Sequence, residues 1–192
     1  MPELILTNQP NPPGNTDVIL AMFREGIDLL FQHSPSHPNS NCDIRVTYGI
    51  GPQVRYGGNN ILGFDIDLTS GNDDWCNHLY QFCHELCHVF AQFQPAIHPN
   101  QWFEESLCEI SSLYCIKKIS EMGERNHGPI VNLWAGSIPY YESLNSYADA
   151  IINKPDRAYS GHLQTWFHMN ETTLRKDPYN RSLNGVVANR LL

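Results

Sequence analysis

Between Gly71 and Pro95 the chain has room for one uninterrupted helix of about twenty residues. Near the end of that stretch stands His84-Glu85-Leu86-Cys87-His88. Asn72 or Asp73 can cap the start, and Pro95 stops the helix after Gln94. A second helix is expected from near Asn100 to about Ile119, so only a handful of residues join the two and they must lie side by side. Helical residues four apart share a face, one turn from each other. His84 and His88 can therefore aim both imidazoles at one ion, and zinc is the ion this donor pattern suits. Glu85, about 100° around the axis from His84, can reach a metal-bound water without occupying the metal itself. A carboxylate placed there can take a proton from the water and hand it to a leaving amine, which is what amide hydrolysis needs.

The alternative is an amphipathic core helix with two incidental histidines. Shuffling a chain of this composition yields only about 0.02 His-Glu-x-x-His strings. Context also favours the metal, because the string lies in a long capped helix, after a period-two strand and before a carboxylate-rich helix. A catalytic zinc commonly takes three protein ligands and keeps one position open. In Trp102-Phe103-Glu104-Glu105-Ser106-Leu107-Cys108-Glu109, residues Glu105 and Glu109 share a face, whereas Glu104 sits with Leu107, Cys108 and Ser111. Glu105 is the better third ligand. Glu109, one turn on, can stand behind the site and accept the free N–H of a zinc-bound imidazole. Glu104 reads as a solvated acid favoured by the helix N-terminus. His98, in the loop between the helices, is a spare ligand or a surface histidine.

The remaining pattern places this helix pair in an α+β chain. Leu4-Ile5-Leu6 is strand-like, and residues 8–15 are turn formers. A helix then starts at Thr16 and carries Val18, Ile19, Met22, Phe23, Ile27 and Leu30. Strands are expected at Asp43–Tyr48, Val54–Tyr56 and Ile61–Thr69, with Gly57-Gly58-Asn59-Asn60 as a hairpin turn. Further helices are expected near Tyr141–Asn153, Gly161–Thr173 and Leu183–Leu192. The 192 residues fit a single domain, with neither repeat nor linker. A formal charge of −8 with only 12 Lys and Arg argues against nucleic acid as a partner. No apolar run approaches the roughly 18 residues that a membrane helix requires. Four of the six cysteines fall at helical spacing in apolar stretches, without Cys-x-x-Cys pairs, and the start lacks a basic, apolar leader. Both features point to a cytoplasmic protein with reduced, buried thiols. A Cys-rich zinc site from Cys76, Cys83, Cys87 and Cys108 would have none of the usual knuckle spacings.

Residues 61–113 resemble the gluzincin branch of the zincin metallopeptidases, in which His-Glu-x-x-His is followed by a glutamate ligand on the next helix. Trp102 to Glu109 is similar to the Trp-Leu-Asn-Glu-Gly-Phe-Ala-Glu pattern of its aminopeptidase-like members, which puts the ligand at Glu105. The chain departs from that pattern at Glu104 and Ser106, where asparagine and glycine are usual. The rival metzincin pattern wants Gly at 91 and His at 94, where this chain has Ala91 and Gln94. The resemblance implies a zincin-like fold with a small twisted, mainly antiparallel sheet whose edge strand, Ile61–Thr69, lies beside the motif helix and carries an extended peptide substrate. It also implies a downstream residue to steady the oxyanion, with Tyr140, Tyr141, Tyr159, His162 and His168 as candidates. The expected activity is zinc-dependent hydrolysis of peptide or protein substrates. The alternatives are a binding module without turnover and a zinc hydrolase acting on a non-peptide amide or ester.

Overall fold

The computed structural model describes residues 4–6, 16–33, 43–49, 51–56, 63–69, 74–91, 98–124 and 137–192. The elements run β1 (Leu4–Leu6), α1 (Thr16–His33), β2 (Asp43–Gly49), β3 (Gln53–Tyr56), β4 (Gly63–Thr69), α2 (Trp75–Phe90), α3 (Gln101–Glu124) and α4 (Ser137–Ile152). A 3₁₀ turn at Pro155–Arg157, α5 (Leu163–Lys176) and α6 (Arg181–Leu191) complete them. The result is an α+β fold with a four-stranded mixed sheet. Residues 8–15, the Gly57 to Asn60 turn and the Pro95 stop lie outside the described residues.

The sheet corrects two expectations. Its order is β1-β2-β4-β3, and two of its three pairings, β1 with β2 and β2 with β4, are parallel. Only β3 with β4 is antiparallel. A helix between β1 and β2 makes a crossover connection, which gives parallel neighbours where a hairpin would give antiparallel ones. The strand before the motif helix is also not an edge, since β4 lies between β2 and β3. Burial explains why. Phe64, Ile66, Asp67 and Leu68 of β4 are all buried, whereas β3 is four residues long and exposes Gln53 and Arg55, as a protected edge does.

One face of α2, formed by Leu79, Phe82, Cys83, Leu86 and Val89, is closed in the main core. Phe82 stacks on Phe23 of α1 with ring centroids 4.2 Å apart. A Cβ on Gly26 would come within 2.9 Å of Cys83 Sγ, so α1 can approach this closely only without a side chain there. The helix begins at Trp75, with Asp74 rather than Asn72 or Asp73 as the cap, its carboxylate accepting from Asn77 N at 3.1 Å. Gln81 ties α2 to the end of β4, accepting from Thr69 N at 2.9 Å and donating to Thr69 Oγ1 at 3.0 Å.

The other buried face of α2, with Gln81, His84, Glu85 and His88, is polar. α3 supplies a matching stripe of Gln101, Glu105, Cys108, Glu109 and Ser112, all buried. It runs to Glu124, beyond the expected end near Ile119. Leu113, Cys115, Ile116 and Ile119 bury its second half, while Tyr141 of α4 lies flat against Gly123, where an added Cβ would overlap the ring. A smaller core of Trp166, Leu174, Val186 and Val187 joins α5 to α6 and reaches α3 through Trp102. Among the described residues, no helix is long and apolar enough to cross a membrane.

Candidate metal centre

The two helices place His84, His88 and Glu105 together. Glu105 Oε2 lies 3.2 Å from His84 Nε2, and its Oε1 lies 3.4 Å from His88 Nε2. The imidazole rings are 5.3 Å apart between centroids. Gln101, one turn earlier on α3, donates to Glu105 Oε1 at 3.4 Å and helps hold the carboxylate between the rings. Glu85 is buried beside them, and burial raises its pKa, an effect increased by Glu105 and opposed by the charges of His84 and His88.

The helices run antiparallel, and that decides what the other glutamates touch. Glu109 is one turn farther along α3 and therefore meets α2 one turn before His84. There it accepts hydrogen bonds from Tyr80 Oη and from Arg157 Nη1. The position behind an imidazole that the sequence assigned to Glu109 is taken by Glu104, whose Oε1 is 2.7 Å from His88 Nδ1. Glu104 Oε2 is also 3.3 Å from His98 Nε2, so neither residue is a free surface group. The missed signal is the turn phase between the two helices, which sequence spacing does not carry.

Electrostatics follow the geometry. Burial disfavours a charged His88, yet the hydrogen bond it donates to Glu104 and the fields of Glu105, Glu85 and Glu104 outweigh it and raise the imidazole to about 9. Burial likewise opposes ionisation of Glu105, but its bond to His84 and the His88 charge hold its carboxyl below the ordinary value. Glu104 is lowered in the same way, against burial, by His88 and His98. A cation entering here would replace the proton on His88.

Whether a metal fits can be judged on distances. Ligand atoms about 2.0–2.2 Å from a tetrahedral zinc stand roughly 3.3–3.5 Å from one another. The two imidazole–Glu105 separations fall at or near that range. Among the described residues the other nitrogen of His84, Nδ1, is buried without a hydrogen-bond partner. Cys108 offers a rival donor, since its Sγ and one nitrogen from each of His84 and His88 all lie within 4.8 Å of one another. Its thiol is pushed well up by burial and by its hydrogen bond with Cys87. Glu105, whose two oxygens lie 3.2 Å and 3.4 Å from the two rings, and Cys108 are thus both candidates for the third donor.

The downstream oxyanion candidates are dispersed. Tyr140 and Tyr141 are buried in the core, Tyr159 packs beside Trp166 at 6.2 Å, and His162 and His168 are exposed at the start of α5 and on it. Sequence reasoning missed Tyr179, in the turn between α5 and α6. It is 56% exposed, and its phenol pKa is raised by partial burial and then by the charges of Glu105 and Glu104. No protein-family model matches the chain, and neither curated proteins nor solved structures gave a match.

Proposed function

We propose that this chain is a zinc-dependent peptidase, with zinc held by His84, His88 and Glu105 and with Glu85 as general base. The observation that carries this is the position of the Glu105 carboxylate, 3.2 Å from one imidazole and 3.4 Å from the other. Zinc bound there supplies a Lewis-acid charge and an acidified water, with a pKa lowered from about 15.7 to about 7. Glu85, buried beside the two imidazoles, would be the base that accepts a proton from the attacking water and hands it to the departing amine. Burial of Glu85 raises its proton affinity, which suits a group that must hold a proton in transit. Glu104 accepts the Nδ1–H of His88 and so fixes which nitrogen faces the metal. The edge strand β3, which contacts α2, is the edge on which an extended peptide would pair.

A second donor set, His84, His88 and Cys108, is supported by the closeness of their ligand atoms. Cobalt substitution separates the two, because a thiolate ligand adds an intense near-ultraviolet charge-transfer band and a carboxylate does not.

The function is tested by stripping the protein with a strong chelator, restoring zinc, and following a peptide library beside an ester panel by mass spectrometry. Cleavage of peptides that disappears and returns with zinc supports the proposal. Ester cleavage alone would make the chain a different zinc hydrolase, and peptide binding without product would make it a binding module.

A further inference from the structure

A cavity of about 390 Å³ opens between α2, α4, the 3₁₀ turn and the start of α6. That volume lies within the roughly 300–1,000 Å³ typical of small-ligand sites. Tyr80 and Tyr147 form aromatic walls, Ala150 and Ile151 add apolar surface, and the charged groups are Lys154, Asp156, Arg157 and Arg181. The chain carries 12 Lys and Arg against 20 Asp and Glu, so three of its few cations around one cavity is a marked local reversal.

The charges are not equally free. Arg157 is buried and paired with Glu109, and Asp156 accepts a hydrogen bond from Ser182 at 2.5 Å. Lys154 and Arg181 are exposed at the rim and form no salt bridge with the described residues, although, beside the hydrogen bond from Ser182, Lys154 lies close enough to Asp156 to help hold its carboxyl below the ordinary value. The positive end of the α6 dipole faces the same side, since Arg181 and Ser182 open that eleven-residue helix. Tyr80 links the cavity to the metal centre, because it stands one turn before His84 on α2 with its ring centroid 6.5 Å from the imidazole.

We infer that this cavity binds a carboxylate of the substrate, either the end of a peptide chain or an acidic side chain, between Lys154 and Arg181. The substrate half of this inference rests on the peptidase proposal, whereas the carboxylate site can be tested without turnover. The 192-residue chain carrying Glu85→Gln is titrated with three probes, followed by calorimetry: N-acetyl-alanine, N-acetyl-glutamic acid amide, and N-acetyl-glutamine amide. The first holds only a terminal carboxylate, the second only a side-chain carboxylate, and the third neither.

At least one of the first two should bind about tenfold more tightly than the third and weaken as salt rises. Which of them binds identifies the source of the carboxylate. Adding Lys154→Gln with Arg181→Gln should remove that preference, and Lys154→Arg with Arg181→Lys should retain most of it. Both residues are exposed, and a thermal melt of each variant verifies the fold. Equal binding of all three probes, no binding of any, or an undiminished preference in the doubly neutralised protein would overturn the inference. Absence of peptide cleavage by the zinc-supplied wild-type chain, with the preference intact, would remove the peptidase proposal and leave the carboxylate site standing.

Discussion

Two clusters of buried polar groups in this molecule are built on opposite principles. On the sheet, Asp67 accepts hydrogen bonds from Thr47, Gln53 and Arg55, so strands β2, β3 and β4 surround one carboxylate with donors. Between α2 and α3, three carboxylates, those of Glu85, Glu104 and Glu105, gather around the imidazoles of His84 and His88, and among the described residues the ion-paired guanidinium nearby, Arg157, is engaged by Glu109. The first cluster is complete within the protein. The second leaves negative charge in a low-dielectric setting, and His88 answers by holding a proton up to about 9. Charge surplus of this kind costs stability unless a cation is present. On the metal-centre proposal, the contrast is between a cluster satisfied by its own donors and one that a divalent ion would complete.

The largest effect should come from Glu85→Gln. It should cut peptide turnover by about 10²–10⁴-fold while zinc stoichiometry, read by metal analysis, stays at the wild-type value. Wild-type rates in this variant would contradict the mechanism. Next, zinc at about a hundred times its Kd should stabilise the chelator-treated protein by about 2.7 kcal/mol, a rise of about 5–10 °C in melting temperature. The doubly substituted His84→Ala, His88→Ala protein should show no such rise. Glu104→Gln should weaken zinc binding about 10–100-fold in competition with a coloured chelator, whereas Glu109→Gln should act on stability through Tyr80 and Arg157.

The smallest effect on the metal should come from the sheet. Asp67→Asn should leave zinc affinity unchanged and lower stability by about 1–3 kcal/mol in denaturant melts. Its pH dependence has a definite sign. Burial alone would raise the Asp67 carboxyl, but the bonds from Thr47, Arg55 and Gln53 hold it below the ordinary value. The native group is therefore more acidic than the unfolded one. Its contribution is complete above about pH 4 and disappears as pH falls through the lowered native value. The gap in melting temperature between wild type and Asp67→Asn should close over the same range.

The helix pair was legible in the sequence because both determinants are local: the i, i+4 spacing of His84 and His88, and the short link to a helix bearing Glu104, Glu105 and Glu109. The α+β class followed from the same local periodicities. The sheet order was not legible, since adjacency in sequence suggested hairpins and only burial distinguishes interior β4 from edge β3. The partners of Glu104 and Glu109 were reversed because both depend on the phase at which α3 crosses α2. Tyr179 stands near the glutamates only through the placement of α5 and α6, which no local pattern encodes.

Anomalous diffraction at the zinc edge, on crystals of the chain supplied with one equivalent of zinc, tests the metal centre most directly. A single peak about 2.0–2.2 Å from Nε2 of His84, Nε2 of His88 and a Glu105 oxygen is the expected result. A peak elsewhere, or side chains at these three positions turned away from one another with no peak between them, would contradict it.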